Sequence, residues 1–211
     1  MTSVPPYPAV LLFGAPGVGK GTQGRILQGI PGFTHISSGD LFRNLDPNSD
    51  EGREAHECTS RGELVSDELT IRVFQRWLRD LVASGKHDPE KDLLVLDGIP
   101  RTVQQAADMD SLVNVLAVIC FECADEEAML RRIQHRAKIE NRNDDLDEAT
   151  IRHRFEVYHK ETEPVLKHYS PDLIKRIDPL MTPAEVLREL LDIVIPIHPA
   201  KKCITRTSGS A

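Results

Sequence analysis

The stretch GAPGVGKGTQG, residues 14–24, places a single lysine in a run punctuated by glycine, between the apolar AVLLF at 9–13 and RILQGI at 25–30. Its flanks make it the turn between a buried strand and a helix. A helix entered through glycines leaves several backbone N–H groups unpaired and converging on one spot, where an anion satisfies them. Gly14, Gly17, Gly19 and Gly21 let the backbone curl around phosphate oxygens without Cβ clashes, and Lys20 adds a point charge for the outer phosphates. A glycine loop alone is weak evidence, but GxxxxGK directly after a strand is specific for phosphate binding. Gly21 stands where the common form of this loop has a hydroxyl residue, and Thr22 follows it.

Outward from this loop, short β-rich runs alternate with helical patterns: FTHI at 33–36, LLVLD at 93–97, VLAVICF at 115–121 and LIKRI at 173–177. Alternation of this kind predicts βαβ units and a parallel sheet covered on both faces. SDELTIRVFQRWLRDLVAS is predicted to be a helix that packs through Leu69, Val73, Trp77 and Leu81. The last helix is announced by TPAE, with Thr182 as N-cap, Pro183 in the first turn and Glu185 completing a capping box. After Ile195 the composition predicts a frayed tail, so a single domain is expected over 1–195 with a flexible segment over 196–211.

The formal net charge of -7 argues against a general binder of nucleic acid or of a membrane surface, so an anionic ligand has to meet a local cluster of positive charge. No apolar run is long enough to span a membrane, and the N-terminal run ends in the glycine loop rather than a cleavage site. Four scattered cysteines (Cys58, Cys120, Cys123, Cys203) do not make a disulfide framework, and a reducing cytoplasm is the expected compartment. Cys120 and Cys123 form a CxxC within or just after a strand, which is read as packing rather than redox chemistry.

Further motifs extend the pattern in order along the chain: ISSGDLFR at 36–43, GELVSDE at 62–68, LDGIPRTVQQ at 96–105, RNDD at 142–145 and RHRFEVYHKETEP at 152–164. With the loop at 14–23, this set resembles the adenylate kinase family of nucleoside monophosphate kinases. The resemblance implies an α/β fold of the phosphate-loop kinase type: a parallel sheet flanked by helices, with a monophosphate-binding insert at about 37–66 and a short lid at about 132–145. The lid departs from the usual family pattern at His135 and Asn141, where glycine is common, and in one extra residue within LDEAT at 146–150.

Phosphoryl transfer gathers negative charge and needs positioning more than covalent help, and the planar forks of arginine suit phosphate oxygens. By resemblance, ATP is met by Gly14, Gly17, Gly19, Lys20, Gly21 and Thr22, with Arg132 and Arg142 joining from the lid. AMP is met by Ser38, Arg43, Val65, Gly98, Arg101 and Gln105. Arg136 and Arg154 would stabilise the group in flight, and Asp144 and Asp145 would orient the lid arginines. Asp97, at the end of a buried strand, would hold hydrated Mg²⁺, which keeps several waters and takes few carboxylates directly. His35 and His135 require no catalytic role.

The expected activity is reversible transfer from ATP-Mg to AMP giving two ADP, by a monomeric enzyme. A UMP/CMP kinase of the same fold and a nucleotide-binding switch without turnover are the alternatives. Ser38 and Thr102 favour AMP, since pyrimidine-specific relatives tend to carry Ala and Asn there. An amide at Gln105 can donate to and accept from an adenine edge, while a solvated surface glutamine is the bland alternative.

Overall fold

The computed structural model describes residues 6–140 and 147–200. Its centre is a five-stranded parallel sheet in the order β2-β3-β1-β4-β5. The strands are β1 (Tyr7–Phe13), β2 (Phe33–Ser37), β3 (Leu93–Asp97), β4 (Val113–Phe121) and β5 (Ile174–Ile177). All five were expected from their apolar runs, with ends that move by two residues at most. Alternation along β1 divides the core. Val10 and Leu12 join Leu27, Ile119, Val186 and Leu190 on one face, while Ala9, Leu11 and Phe13 join Leu96, Phe74, Ala106 and Met109 on the other. Each fully buried leucine or phenylalanine here contributes about 1.5–3 kcal/mol.

The helices are α1 (Lys20–Gln28), α2 (Ser38–Arg43), α3 (Asp50–Ser60), α4 (Asp67–Ala83), α5 (Val103–Met109), α6 (Glu126–Glu140), α7 (Glu148–Val157) and α8 (Pro183–Ile197). A π-helical turn at Tyr158–Thr162 continues α7. The chain leaves β1 toward β2 on one side of the sheet, then passes from β3 across β1 to β4 on the other. That reversal opens a crevice beyond the carboxyl ends of the central strands. Asp97 is in register with both Leu12 of β1 and Ser37 of β2, so three strands bring their carboxyl ends to one edge.

Two sequence expectations are corrected. Helix α4 does bury Leu69 and Val73, but Phe74 and Leu78 replace Trp77 and Leu81 as its buried anchors farther along, the latter two being only partly covered. A spacing of four residues advances about 400° on a helix, so a row of i+4 steps drifts about 40° each time and leaves the buried face after two. The drift lets α4 serve two clusters: Leu69 and Val73 hold Ala55 and Val65 of the insert, while Phe74 and Leu78 hold the sheet.

The second correction concerns the end of the chain. The capping box on α8 is present, with Thr182 and Glu185 bonded reciprocally, but the helix runs past Ile195 through Pro196 to Ile197. His198 then bonds through Nε2 to the carbonyl of Gly32 at 2.8 Å and packs edge-on against Phe33. The order expected to end at 195 therefore continues to His198, which is held against the start of β2.

Candidate active site

The glycine loop follows β1, and its conformation explains its composition. Gly14, Gly17 and Gly19 have φ of 137°, 86° and 98°. A Cβ on Gly14 would lie 2.6 Å from the carbonyl oxygen of Phe121, and one on Gly17 would lie 2.8 Å from that of Met129. These two glycines are thus demanded by packing against β4 and α6, in addition to any room needed by a ligand. Gly19 is the left-handed N-cap of α1 and has no side chain to cap the helix, so the first turn keeps its positive end open. A Cβ on Gly21 would come within 3.3 Å of Asp97 Oδ2, which puts the first turn of α1 directly beside the end of β3.

Gly14, Gly17, Gly19, Lys20, Gly21 and Thr22 all line one cavity of about 540 Å³. Lys20 Nζ donates to the carbonyls of Gly14 at 2.6 Å and Ala15 at 3.0 Å. Burial pushes its pKa down from 10.5 to about 8, with Asp97 opposing and Arg101 and Arg136 adding to the fall. The opposite wall is supplied by α2 and the turn after β3, where Arg43 and Arg101 reach the same cavity. Arg101 Nε donates to Gly98 O at 2.9 Å and its Nη2 to Ser38 Oγ at 3.3 Å. Burial lowers the pKa of Arg101, Asp97 opposes, and Arg154 and Arg43 add to the lowering. Arg43 forms an ion pair with Asp40 at 2.5 Å.

Gly98, with φ of 71°, is held in this wall by necessity: a Cβ there would stand 2.8 Å from both Arg101 Nη2 and Ser38 Oγ. Ser38 itself is buried beneath the cavity and donates to Gly98 O at 2.6 Å.

The roof comes from α6 and α7. Arg132, Arg136 and Arg154 line the cavity, Arg132 donating to Pro179 O at 2.9 Å and Arg154 to Thr59 O at 3.3 Å. The second bond ties α7 to the insert at Gly62, where a Cβ would meet Arg154 Cγ and Thr150 O at 3.1 Å. Lys20, Arg25, Arg43, Arg101, Arg132, Arg136 and Arg154 thus face one space with Asp40, Glu63, Asp97 and Glu140, a local cationic excess within an acidic protein. Arg142, Asn141, Asp144 and Asp145 lie outside the described residues.

Three expected AMP contacts, Ser38, Val65 and Gln105, are not among the residues that line the cavity. Val65 is buried with Ala55, Leu69 and Val73, and its neighbours Gly62, Glu63 and Leu64 line the cavity instead. Gln105 is only 2% exposed, which disposes of a solvated surface glutamine. Its Oε1 accepts from Arg101 N at 2.7 Å and its Nε2 donates to Asp67 at 2.8 Å.

Asp97 is buried at the cavity floor, and His35 Nε2 stands 3.9 Å from its Oδ2. Burial keeps the pKa of His35 below its usual 6.5, Asp97 opposing. A hard carboxylate beside the phosphate loop fits a hydrated Mg²⁺, whose remaining positions are filled by water and phosphate oxygens. Among the described residues no group of three or more His, Cys, Asp or Glu could hold a metal by protein ligands alone. Sequence reasoning missed Arg25, Asp67 and Tyr158. Tyr158 lines the cavity from the π-helical turn, and only its place in RHRFEVYHKETEP could have flagged it. Cys120 is buried in β4 with its thiol pushed up to about 11 by burial, in keeping with packing.

Fold and site together define a phosphotransferase built on a phosphate-binding loop. The adenylate kinase family model matches residues 12–173. The chain is 39% identical to an adenylate kinase of Thermobifida fusca over 175 residues, covering 80% of this chain and 88% of that one. It is 37% identical to an adenylate kinase of Thermus thermophilus, over 84% of this chain and 92% of the relative. For an adenylate kinase of Flavobacterium psychrophilum the identity is 33%, over 88% and 97%. The chain belongs to the adenylate kinase family.

Proposed function

We propose that this enzyme transfers the terminal phosphoryl group of ATP to AMP, reversibly, giving two ADP. The observation that carries the reading is the meeting of two anion-binding walls at one sheet edge: the glycine loop with Lys20 on one side, and Arg43 with Arg101 on the other. Two phosphate-bearing substrates held end to end between them would bring donor and acceptor oxygens together, which is the main catalytic task in phosphoryl transfer.

In this reading the first turn of α1 and Lys20 hold the ATP phosphates, with Arg132 and Arg142 joining from the lid. Arg43 and Arg101 hold the AMP phosphate, and Arg136 and Arg154 balance the charge that develops in transfer. Bound Mg²⁺ would supply further charge neutralisation, with Asp97 holding its water shell. Closing α6 and α7 over the cavity would exclude water, which otherwise competes with AMP for the phosphoryl group. Ser38, Gly98 and Gln105 would form the AMP side of the site, and Gln105 still has one N–H and one lone pair beyond the bonds it makes here.

A monomer working in a reducing cytoplasm completes the reading. The described cysteines Cys58, Cys120 and Cys123 are free thiols, and no helix among the described residues is long and apolar enough to cross a membrane. The direct test starts from the product side. Incubated with Mg²⁺ and ADP alone, the protein should form ATP and AMP in equal amounts. Formation of AMP and inorganic phosphate without ATP, or no reaction, would refute the proposal.

A further inference from the structure

Gln105 is clamped between two partners of opposite and fixed polarity. Its Oε1 accepts from the backbone N–H of Arg101, at 2.7 Å, and a backbone N–H can only donate. Its Nε2 donates to Asp67 Oδ1, at 2.8 Å, and an ionised carboxylate can only accept. The same Asp67 oxygen also accepts from Thr102 Oγ1 at 2.9 Å, and Thr102 Oγ1 in turn accepts from the Gln105 N–H at 3.0 Å as the cap of α5. The oxygen and nitrogen of a glutamine amide are ordinarily hard to tell apart. Here the alternative orientation would set Oε1 against a carboxylate and Nε2 against an N–H, losing both bonds and adding two repulsions in a group that is 2% exposed.

We infer that Asp67 is a positioning residue for acceptor specificity: by joining the Arg101 N–H in fixing which way the Gln105 amide faces, it selects bases that present an adjacent ring-nitrogen acceptor and exocyclic amino donor. The inference rests on Gln105 reading the base of the acceptor. Adenine offers an acceptor at N1 beside a donor at N6, and the locked amide answers both with its remaining N–H and its remaining lone pair. Hypoxanthine reverses that order, with a donor at N1 and an acceptor at O6, and uracil reverses it likewise. A glutamine free to turn over would serve either order. Thus Gln105 alone does not discriminate, and the discrimination comes from the Arg101 N–H together with a carboxylate on α4, 38 residues away in sequence.

Asp67 holds the amide from the start of α4, and Thr102 adds a second bond to the same oxygen. Helix α4 is itself anchored to the sheet through Phe74 and Leu78. The lock is therefore referenced to the core rather than to the mobile end of a side chain.

The experiment measures kcat/KM for AMP and for IMP, with saturating ATP-Mg, in the parent and in Asp67→Asn, Asp67→Glu, Gln105→Leu and the Asp67→Asn/Gln105→Leu double variant. Asparagine can present either an oxygen or an amino group to Gln105, which leaves the Arg101 N–H as the one partner of fixed polarity, so Asp67→Asn should narrow the AMP/IMP ratio by up to about tenfold, roughly what one misdirected hydrogen bond is worth. Asp67→Glu keeps an acceptor-only partner and should hold most of the ratio even if α4 is weakened. Gln105→Leu should narrow the ratio too, and Asp67→Asn added to it should change nothing further. If Asp67→Asn lowers AMP and IMP turnover alike while Gln105→Leu narrows the ratio, Asp67 is merely structural and the inference falls, with Gln105 still a base contact. If Gln105→Leu leaves the ratio unchanged, the base-reading role of Gln105 and the lock built on it fail together.

Discussion

Replacing Lys20 by methionine should separate activity from stability, because the two respond to the lost ammonium with opposite sign. In the folded protein Lys20 is held at the Gly14 and Ala15 carbonyls, and burial lowers its pKa from 10.5 to about 8. A lysine whose folded-state pKa lies below its unfolded value is protonated in both states at neutral pH, and its charge is less favourable in the folded one. That penalty is complete below pH 8 and is relieved as pH rises through 8 toward 10.5. The fall corresponds to roughly 3 kcal/mol. Two carbonyls left without their donor, and the partial exposure of the side chain, reduce the net gain on removal to about 1–2 kcal/mol.

Lys20→Met should therefore melt no lower than the parent at neutral pH, and above it by several degrees if the full gain is realised. Phosphoryl transfer should fall by about 10²–10³, the usual cost of removing one donor aimed at developing charge in a water-poor site. Calorimetric melting and kcat/KM for ATP, measured on the same sample, check both halves. A variant that keeps its activity refutes the phosphate-binding role of Lys20. One that loses stability and activity in parallel refutes the claim that this lysine is retained at a cost to the fold.

Three further outcomes follow from the geometry. Arg154→Ala should depress kcat more than it weakens nucleotide binding, since Arg154 roofs the cavity while anchored to Thr59; unchanged kcat with weaker ATP binding would make it a ground-state contact instead. Gly17→Ala should cost about 1–3 kcal/mol more than Gly85→Ala in denaturant titrations, although both glycines have positive φ, because a Cβ at 17 meets Met129 O at 2.8 Å and one at 85 meets nothing within 4 Å; equal losses would contradict the packing of the loop on α6. His159 bonds Glu163 at 2.8 Å and Glu126 at 2.9 Å, which raises its pKa and ties the start of α6 to the turn after α7. The stability it contributes is whole below pH 6.5 and is lost as pH climbs through the raised value, so the melting difference between parent and His159→Gln should shrink as pH rises above 6.5; a pH-independent difference would refute the assignment.

The parts of the fold and site that could be read from the sequence are those whose cause is local. The phosphate loop, the strand before it and the helix after it are contiguous, so GAPGVGKGTQG carries its own explanation. The five strands were visible because a parallel strand covered on both faces is a continuous apolar run, and LLVLD at 93–97 is buried at every position. What stayed hidden depends on contacts between distant segments. The reason for glycine at 17 is the Met129 carbonyl, the partner of the Gln105 amide is Asp67 from another helix, and the neighbour of Asp97 is His35 from another strand. The packing of His198 on Gly32 spans 166 residues, and no local pattern marks it, so the sequence places the end of order at Ile195 although Pro196 sits in the last turn of α8.

The most direct test of the account is an acceptor panel: initial rates with saturating ATP-Mg and AMP, UMP, CMP or GMP in turn, with all nucleotides resolved by chromatography. AMP should give the highest kcat/KM, and two ADP should appear for each ATP and AMP consumed. A preference for UMP or CMP would contradict AMP as the acceptor, and ATP hydrolysis unaffected by any monophosphate would contradict phosphoryl transfer altogether.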